Sequence, residues 1–312
     1  MKTPITLFFC LAFLAGLNAN YLIDGPVAEL SIQTEGKMIL IPGIVDGVEG
    51  YFMLDTGAPE LILNERYFPE RKVGRKKVLQ DVGKKMSCAQ IRVEHFIMGN
   101  VYRDNFEAII TDLHTTEKAL GRPILGLLGY DVLRHFEVRI DYYGGFITFC
   151  NLDEAGRPVH QWQKRSPDHQ LEFIMEGHLP TIEGQLLGKS NLMLGLDSGA
   201  SVNLMDQSYR GYLRKHCLKE REIDFQCINS KVEAAPFFVM PQLEVENAYQ
   251  VQFWRTSIGD FSHFRSNDIY IQGILGANFF QLGLISINYQ MQTIKIWDEP
   301  ARINRRYICL NH

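Results

Sequence analysis

A short stretch occurs twice, and its repetition limits the fold more than any other feature of the chain. The first copy reads Phe52-Met53-Leu54-Asp55-Thr56-Gly57-Ala58, and the second Met193-Leu194-Gly195-Leu196-Asp197-Ser198-Gly199-Ala200. In each, an apolar run ends in Asp, a small hydroxyl residue, Gly and Ala. One such motif would be weak evidence, because Asp, Ser, Thr and Gly are ordinary turn residues. Two copies carry weight only if their surroundings also match.

They do. Glu176-Gly177 corresponds to Glu35-Gly36 at an offset of 141 (177 − 36), and Ile182 to Ile41 and Gly184 to Gly43 at the same offset. Asp197 follows Asp55 at 142 (197 − 55), so one residue is inserted in the hairpin between. Leu127-Leu128-Gly129 returns as Ile274-Leu275-Gly276 at 147 (276 − 129). At that offset Ile140-Asp141-Tyr142 falls on Ile287-Asn288-Tyr289, and Ile147-Thr148-Phe149 on Ile294-Lys295-Ile296. A register that drifts so little over so long a span marks an internal duplication.

Each copy reads as short strands with turn punctuation. Leu30, Ile32 and Met38-Ile39-Leu40-Ile41 are strand-like, with turns expected at Glu35-Gly36, Gly43 and Asp46-Gly47. Tyr51 to Leu54 is a buried-looking strand that runs into Asp55, and Leu61-Ile62-Leu63 follows it. The expected fold class is all-β, in two homologous lobes. Residues 20–150 form the first lobe and 169–312 the second. The stretch 151–168, with Pro158 and Pro167 and no apolar period, is a linker.

The bulk composition excludes several function classes. A net charge of −4 does not suit a phosphate-binding surface, so no nucleic-acid partner is expected. There is no Cys-x-x-Cys pair, His-Glu-x-x-His, Walker A loop or Gly-x-Ser-x-Gly elbow, and the nine His are scattered. No metal and no cofactor is expected. At the N-terminus, Lys2 and the apolar run Ile5 to Leu17, closed by Ala19, read as a signal peptide over residues 1–19. The run is shorter than the roughly 20 residues of a membrane span. Export to a periplasmic, secreted or surface-associated location follows, with no membrane span once the segment is removed. An uncleaved anchor is the competing reading, because Leu17 is not the small residue preferred at a cleavage site. Cys88, Cys150, Cys217, Cys227 and Cys309 remain, too few for a disulfide framework; Cys217 and Cys227 are near enough in sequence to pair.

A duplicated unit places its two copies of one loop around a common axis, as a symmetric homodimer does. Asp55 and Asp197 would then face each other with their carboxylates close together. Two such groups cannot both ionise, so one keeps a proton and the pair titrates in two steps. That supplies a general base and a general acid in one place. A water between them can attack an amide carbonyl. Gly57 and Gly199 let the backbone bring N–H groups up to the carboxylates, and the Thr56 and Ser198 hydroxyls can hydrogen-bond across the axis.

With these residues in view, the doubled Asp-[Ser/Thr]-Gly-Ala, each followed by an apolar-apolar-Gly, resembles the aspartic peptidase superfamily. Asp-Thr-Gly-Ala is nearest its retropepsin-like branch, here in tandem so that one chain is bilobal in the manner of pepsin. The resemblance implies two homologous β-barrel-like lobes related by a pseudo-two-fold axis, with the active site in the cleft between them. The resemblance implies Asp55 and Asp197 as the catalytic dyad and Thr56 and Ser198 as the grip between lobes. Gly57, Ala58, Gly199 and Ala200 complete the supporting loops, and the apolar-apolar-Gly segments cross behind them. It also implies a single-chain, monomeric endopeptidase that takes a peptide or unfolded protein in extended conformation under β-hairpin flaps. By the register Leu79 to Met86 lies opposite Gln226 to Glu233, which makes Val82-Gly83 the candidate flap tip, although neither segment has the Gly-rich or Tyr-bearing tip of a typical flap.

Pepsin-type enzymes carry Ser or Thr where this chain has Ala58 and Ala200. With fewer donors to the ionised form, the dyad is expected to work nearer neutral pH. The alternative function is a catalytically silent peptide-binding module on the same fold. A two-carboxylate glycosidase would need no such motif in both halves, and its sugar platforms would want more than three Trp.

Overall fold

The computed structural model describes residues 20–69, 76–81, 84–160, 165–225, 233–266 and 268–298. The signal segment 1–19, the candidate flap tip Val82-Gly83, Cys227 and Cys309 lie outside the described residues.

In the first half, the hairpin Met38–Val45 and Val48–Leu54 delivers the chain to Asp55. Leu40, Ile41, Phe52 and Leu54 are fully buried, so this hairpin is core on both faces rather than amphipathic. Strand Gly126–Leu128 lies parallel to Val48–Leu54 and antiparallel to Ile62–Asn64, threading between them. Ile62–Asn64 pairs in parallel with Val101–Thr111, which pairs with the long strand Lys84–Met98. That strand pairs back to Met38–Val45, so six strands close into a barrel. Closure removes the edges that would otherwise template aggregation.

The second half repeats the order. Leu179–Leu186 and Lys189–Leu196 form the hairpin leading to Asp197, and Gly273–Leu275 lies between Lys189–Leu196 and Asn203–Asp206. Its sheet has ten strands and stays open among the described residues. The difference has a local cause. Where the first lobe has the unbroken fifteen-residue strand Lys84–Met98, the second has Glu233–Val239 and Gln242–Val245, separated at Met240-Pro241. Proline has no N–H to give to a ladder, so the strand that would close the ring is interrupted there.

A third sheet was not foreseen from the sequence. Its order is His169–Glu172, Thr293–Trp297, Leu284–Asn288, Phe136–Asp141, Phe146–Asn151 and Val27–Ser31. Three strands come from each half, and the halves meet where Val138 pairs with Ile287 and Ile140 with Ile285. Phe136, Val138, Ile140, Ile285 and Ile287 belong to one core that runs through both lobes. On the other face Glu137 is 1% exposed yet satisfied: Ser286 Oγ, Asn288 Nδ2 and Lys295 Nζ donate to its carboxylate at 2.7, 3.2 and 3.1 Å. Such a carboxylate is tolerated inside because its charge is paired and hydrogen-bonded. The linker ends against this sheet, with Trp297 Nε1 donating to the Arg165 carbonyl at 3.1 Å.

Two sequence expectations are corrected. Gly43 is not a turn but lies inside Met38–Val45, where a Cβ would sit 2.8 Å from the Phe52 ring; the glycine makes room for that ring. Cys217 forms no disulfide, and neither do Cys88 and Cys150. No helix of the described residues is long and apolar enough to cross a membrane.

Candidate active site

The two Asp-containing loops meet at the junction of the halves, and four hydrogen bonds cross between them. The Thr56 hydroxyl donates to the Leu196 carbonyl at 2.9 Å and accepts from the Ser198 N–H at 2.9 Å. Reciprocally, the Ser198 hydroxyl donates to the Leu54 carbonyl at 2.9 Å and accepts from the Thr56 N–H at 3.0 Å. Thr56 and Ser198 are 1% and 3% exposed, so water does not compete for these bonds. Each hydroxyl uses both its donor and an acceptor lone pair, which neither Ala nor Val could do.

The strand threaded behind each loop fixes the height of the Asp. The Asp55 N–H donates to the Leu128 carbonyl at 3.1 Å and the Asp197 N–H to the Leu275 carbonyl at 3.0 Å. The glycines that end those strands run directly under the loops. A Cβ on Gly129 would lie 2.4 Å from the Glu60 carbonyl oxygen, and one on Gly276 2.5 Å from that of Ala200. Past them, Tyr130–Leu133 and Ala277–Phe280 form single helical turns, with the Tyr130 and Ala277 N–H groups donating to the Ala58 and Ala200 carbonyls at 2.9 and 2.7 Å.

The carboxylates themselves are held by backbone donors. Asp55 Oδ1 accepts from the Gly57 N–H at 3.0 Å and the Ala58 N–H at 3.1 Å, and Asp197 Oδ1 accepts from the Gly199 N–H at 2.9 Å. Each glycine packs against the opposite acid. A Cβ built on Gly57 would stand 2.6 Å from Cγ of Asp197, and one on Gly199 2.6 Å from Cγ of Asp55. The two side chains hydrogen-bond each other; burial pushes the Asp197 carboxyl up, while Asp55 and the Gly199 and Ala200 amides partly offset it. Carboxylates in hydrogen-bond contact share one proton.

Three further residues touch the site without having been singled out in the sequence. His178 Nε2 lies 2.9 Å from the Gly57 carbonyl. A carbonyl only accepts, so this nitrogen carries the proton, and burial lowers the imidazole's pKa. Lys37 Nζ donates to the Ser201 carbonyl at 3.3 Å, and burial is the largest cause of its lowered pKa. Lys37 and His178 follow the repeated Glu-Gly turns at the same offset of 141 (178 − 37). Each reaches from the hairpin of one lobe to the loop of the other. The duplication held this signal, in the residue after the matched glycine. Tyr289 is the third: it packs edge-on against Tyr130 and Phe173, and its buried hydroxyl has no hydrogen-bond partner. Burial raises its pKa most, with Tyr130 and Asp55 adding to the rise, so it stays a neutral phenol near the dyad.

Among the described residues no group of three or more His, Cys, Asp or Glu is placed to hold a metal. The hairpin Lys76–Asp81 and Lys84–Met98 pairs up to Asp81 opposite Lys84, on either side of the candidate tip Val82-Gly83. The opposite segment, Gln226 to Glu233, is described only at Glu233, where it pairs with Phe225.

A family model described as aspartyl protease matches residues 41–132. No curated protein matches the chain. Among solved structures, basic 7S globulin from soybean is similar in fold, with a TM-score of 0.53 at 10% sequence identity, covering 87% of this chain and 96% of that one. The matched segment runs from the strand before Asp55 to the turn after Leu127-Leu128-Gly129, and the same pieces recur in the same order around Asp197. Residues 41–132 thus match the aspartyl protease family model, and the chain as a whole shares the fold of the globulin.

Proposed function

We propose that the protein is an aspartic endopeptidase whose Asp55 and Asp197 together activate a water. The observation that carries this reading is the reciprocal contact of each loop glycine with the opposite lobe's carboxylate, which leaves the two acids in hydrogen-bond contact. In the resting pair one carboxylate is ionised and the other protonated. The ionised member takes a proton from the water as it attacks the scissile carbonyl carbon. The protonated member donates a hydrogen bond to the carbonyl oxygen, where negative charge develops. The proton then held by the base passes to the leaving nitrogen as the C–N bond breaks. The pair therefore ends with the single proton it began with.

Geometry supplies the rest of the rate. The Gly57, Ala58 and Gly199 amides fix the carboxylates, and the four bonds of Thr56 and Ser198 fix the loops. A site of this kind loses activity when its supports loosen by about an ångström. Its substrate would be an extended peptide or unfolded protein lying between the lobes. With residues 1–19 acting as a signal peptide, the enzyme would work as an exported monomer.

A second reading is a peptide-binding module that does not cut. It is favoured by the similar solved structure, which is titled a globulin and not a peptidase. One experiment separates the two. The mature chain is incubated with denatured protein across pH 3–8, with and without a statine-type transition-state mimic, beside Asp55→Asn. The peptidase reading expects fragments that vanish with the mimic and with the substitution. Fragments undiminished in Asp55→Asn, or none from the unmodified chain, would reject it, and peptide binding without cleavage would favour the module.

A further inference from the structure

The two ends of the site are not equivalent in charge. Where His178 reaches the first loop, the corresponding Lys37 reaches the second, and it does not stand alone there. Arg221 and Arg255 lie near enough to lower its pKa, burial being the larger cause. Their placement follows from the strand register. Arg221 in Lys219–Phe225 pairs with Phe237, and its guanidinium lies 4.8 Å from the centre of that ring. Arg255 pairs with Val239, two residues further along the same strand, so both arginines share one face of the sheet.

That face is the one turned towards the active-site loop. Phe237 also pairs with Ser257, and Ser257 with Leu204. Leu204 belongs to the apolar cluster against which Ala200 and Val202 pack. Phe238, on the opposite face, belongs to the main core. Ser201 is exposed, and its carbonyl accepts from Lys37. Lys37 thus meets the second loop at Ser201, with Arg221 and Arg255 near it on the adjoining sheet face. No carboxylate of the described residues forms an ion pair with any of them. Like charges brought together repel, and a bound anion would relieve that.

We propose that Lys37, Arg221 and Arg255 form a carboxylate-binding subsite that orients an acidic residue of the substrate on the second-loop side of the cleft. The proposal deepens the peptidase reading and rests on it. The lone His178 at the other end, neutral near pH 7, offers no matching charge, so an acidic residue also sets the direction in which the peptide lies. Arginine suits such a site, because its planar fork meets a carboxylate at two points.

The test is equilibrium binding to the full mature chain carrying Asp55→Asn, so that peptides are held and not consumed. Fluorescent ten-residue peptides are compared in pairs, with Glu or Gln at each position in turn, and with free or amidated C-termini. The expected result is one position at which Glu binds about tenfold or more tighter than Gln at low salt, with the difference shrinking as salt rises. Arg221→Gln combined with Arg255→Gln should bring that ratio to about one. If the preference resides in the free C-terminus and disappears on amidation, the carboxylate recognised is the terminal one and the side-chain assignment is overturned. Peptides that bind with no Glu preference, or a preference that survives in the double variant, overturn the subsite alone. If no peptide binds at all, the cleft reading fails and the subsite with it. Near-identical thermal unfolding of the variants excludes a folding defect.

Discussion

Replacing Ser198 with alanine removes one hydroxyl and strands two groups on the opposite loop. The Thr56 N–H loses its acceptor at 3.0 Å, and the Leu54 carbonyl loses its donor at 2.9 Å. Thr56 and Leu54 are 1% and 0% exposed, so water does not replace the lost partner. A buried group left unpaired costs about 1–3 kcal/mol, which puts the substitution, with two such groups, at about 2–6 kcal/mol. Against a total stability of about 5–15 kcal/mol, that is a large fraction. Thr56→Val, which keeps the shape and drops the hydroxyl, breaks the mirror-image pair of bonds and should cost a similar amount. Because the two hydroxyls belong to one network, the double variant should lose less than the sum, with a coupling of about 0.5–3 kcal/mol. Urea unfolding of the four proteins reads this directly. Activity should fall with stability, since looser loops misplace the carboxylates. A Ser198→Ala protein within about 0.5 kcal/mol of the parent, the range of an ordinary surface change, would refute the reasoning.

Other outcomes follow from the same geometry. Gly57→Ala and Gly199→Ala each drive a methyl to 2.6 Å from a carboxylate carbon of the opposite lobe, so both should abolish cleavage with the circular dichroism spectrum retained; an active variant would contradict the packing. The dyad should cut best near neutral pH, because Ala58 and Ala200 offer no hydroxyl to stabilise its ionised form; a rate still rising towards about pH 2–3 would count against this. Burial raises the Asp131 carboxyl from 3.8 to about 6 in the fold, so the folded state binds more protons than the unfolded in that window and stability falls as pH rises through it. Burial lowers His135 from 6.5 to about 4, so its effect is opposite and stability falls as pH drops. Relative to the parent, the melting temperature across pH 4–7 should therefore fall more steeply on acidification in Asp131→Asn and less steeply in His135→Gln; a change of the same sign in both variants would refute the pairing.

The duplication was legible because strand residues and turn glycines repeat in register, and from it the two loops follow; the strands crossing behind them came from the resemblance. Thr56 and Ser198 could be assigned a role because an axis through the paired loops brings each hydroxyl within reach of the opposite loop. Three features were hidden for physical reasons. The six-stranded sheet shared by the halves depends on which strand ends meet, and Phe136–Asp141 and Leu284–Asn288 carry no mark of facing each other. Gly43 looks like a turn because glycine is a turn residue, and only the Phe52 ring above it shows that it makes room. The opening of the second lobe hangs on Pro241, whose effect appears only once its neighbours are known to form a ladder. Lys37 and His178 stand in the repeat only as the residues after the matched glycines, because their roles lie across the axis from their own motifs.

The central claim is that neither Asp works without the other, and non-additivity tests it. The measurement is kcat/KM on one fluorogenic peptide for the parent, Asp55→Asn, Asp197→Asn and the double variant. A shared dyad predicts that each single substitution lowers the rate by about a thousandfold or more, and that the double variant is little worse than either single one. Losses that multiply, or a single variant that keeps more than about a tenth of the parent rate, would show two independent carboxylates and contradict the account.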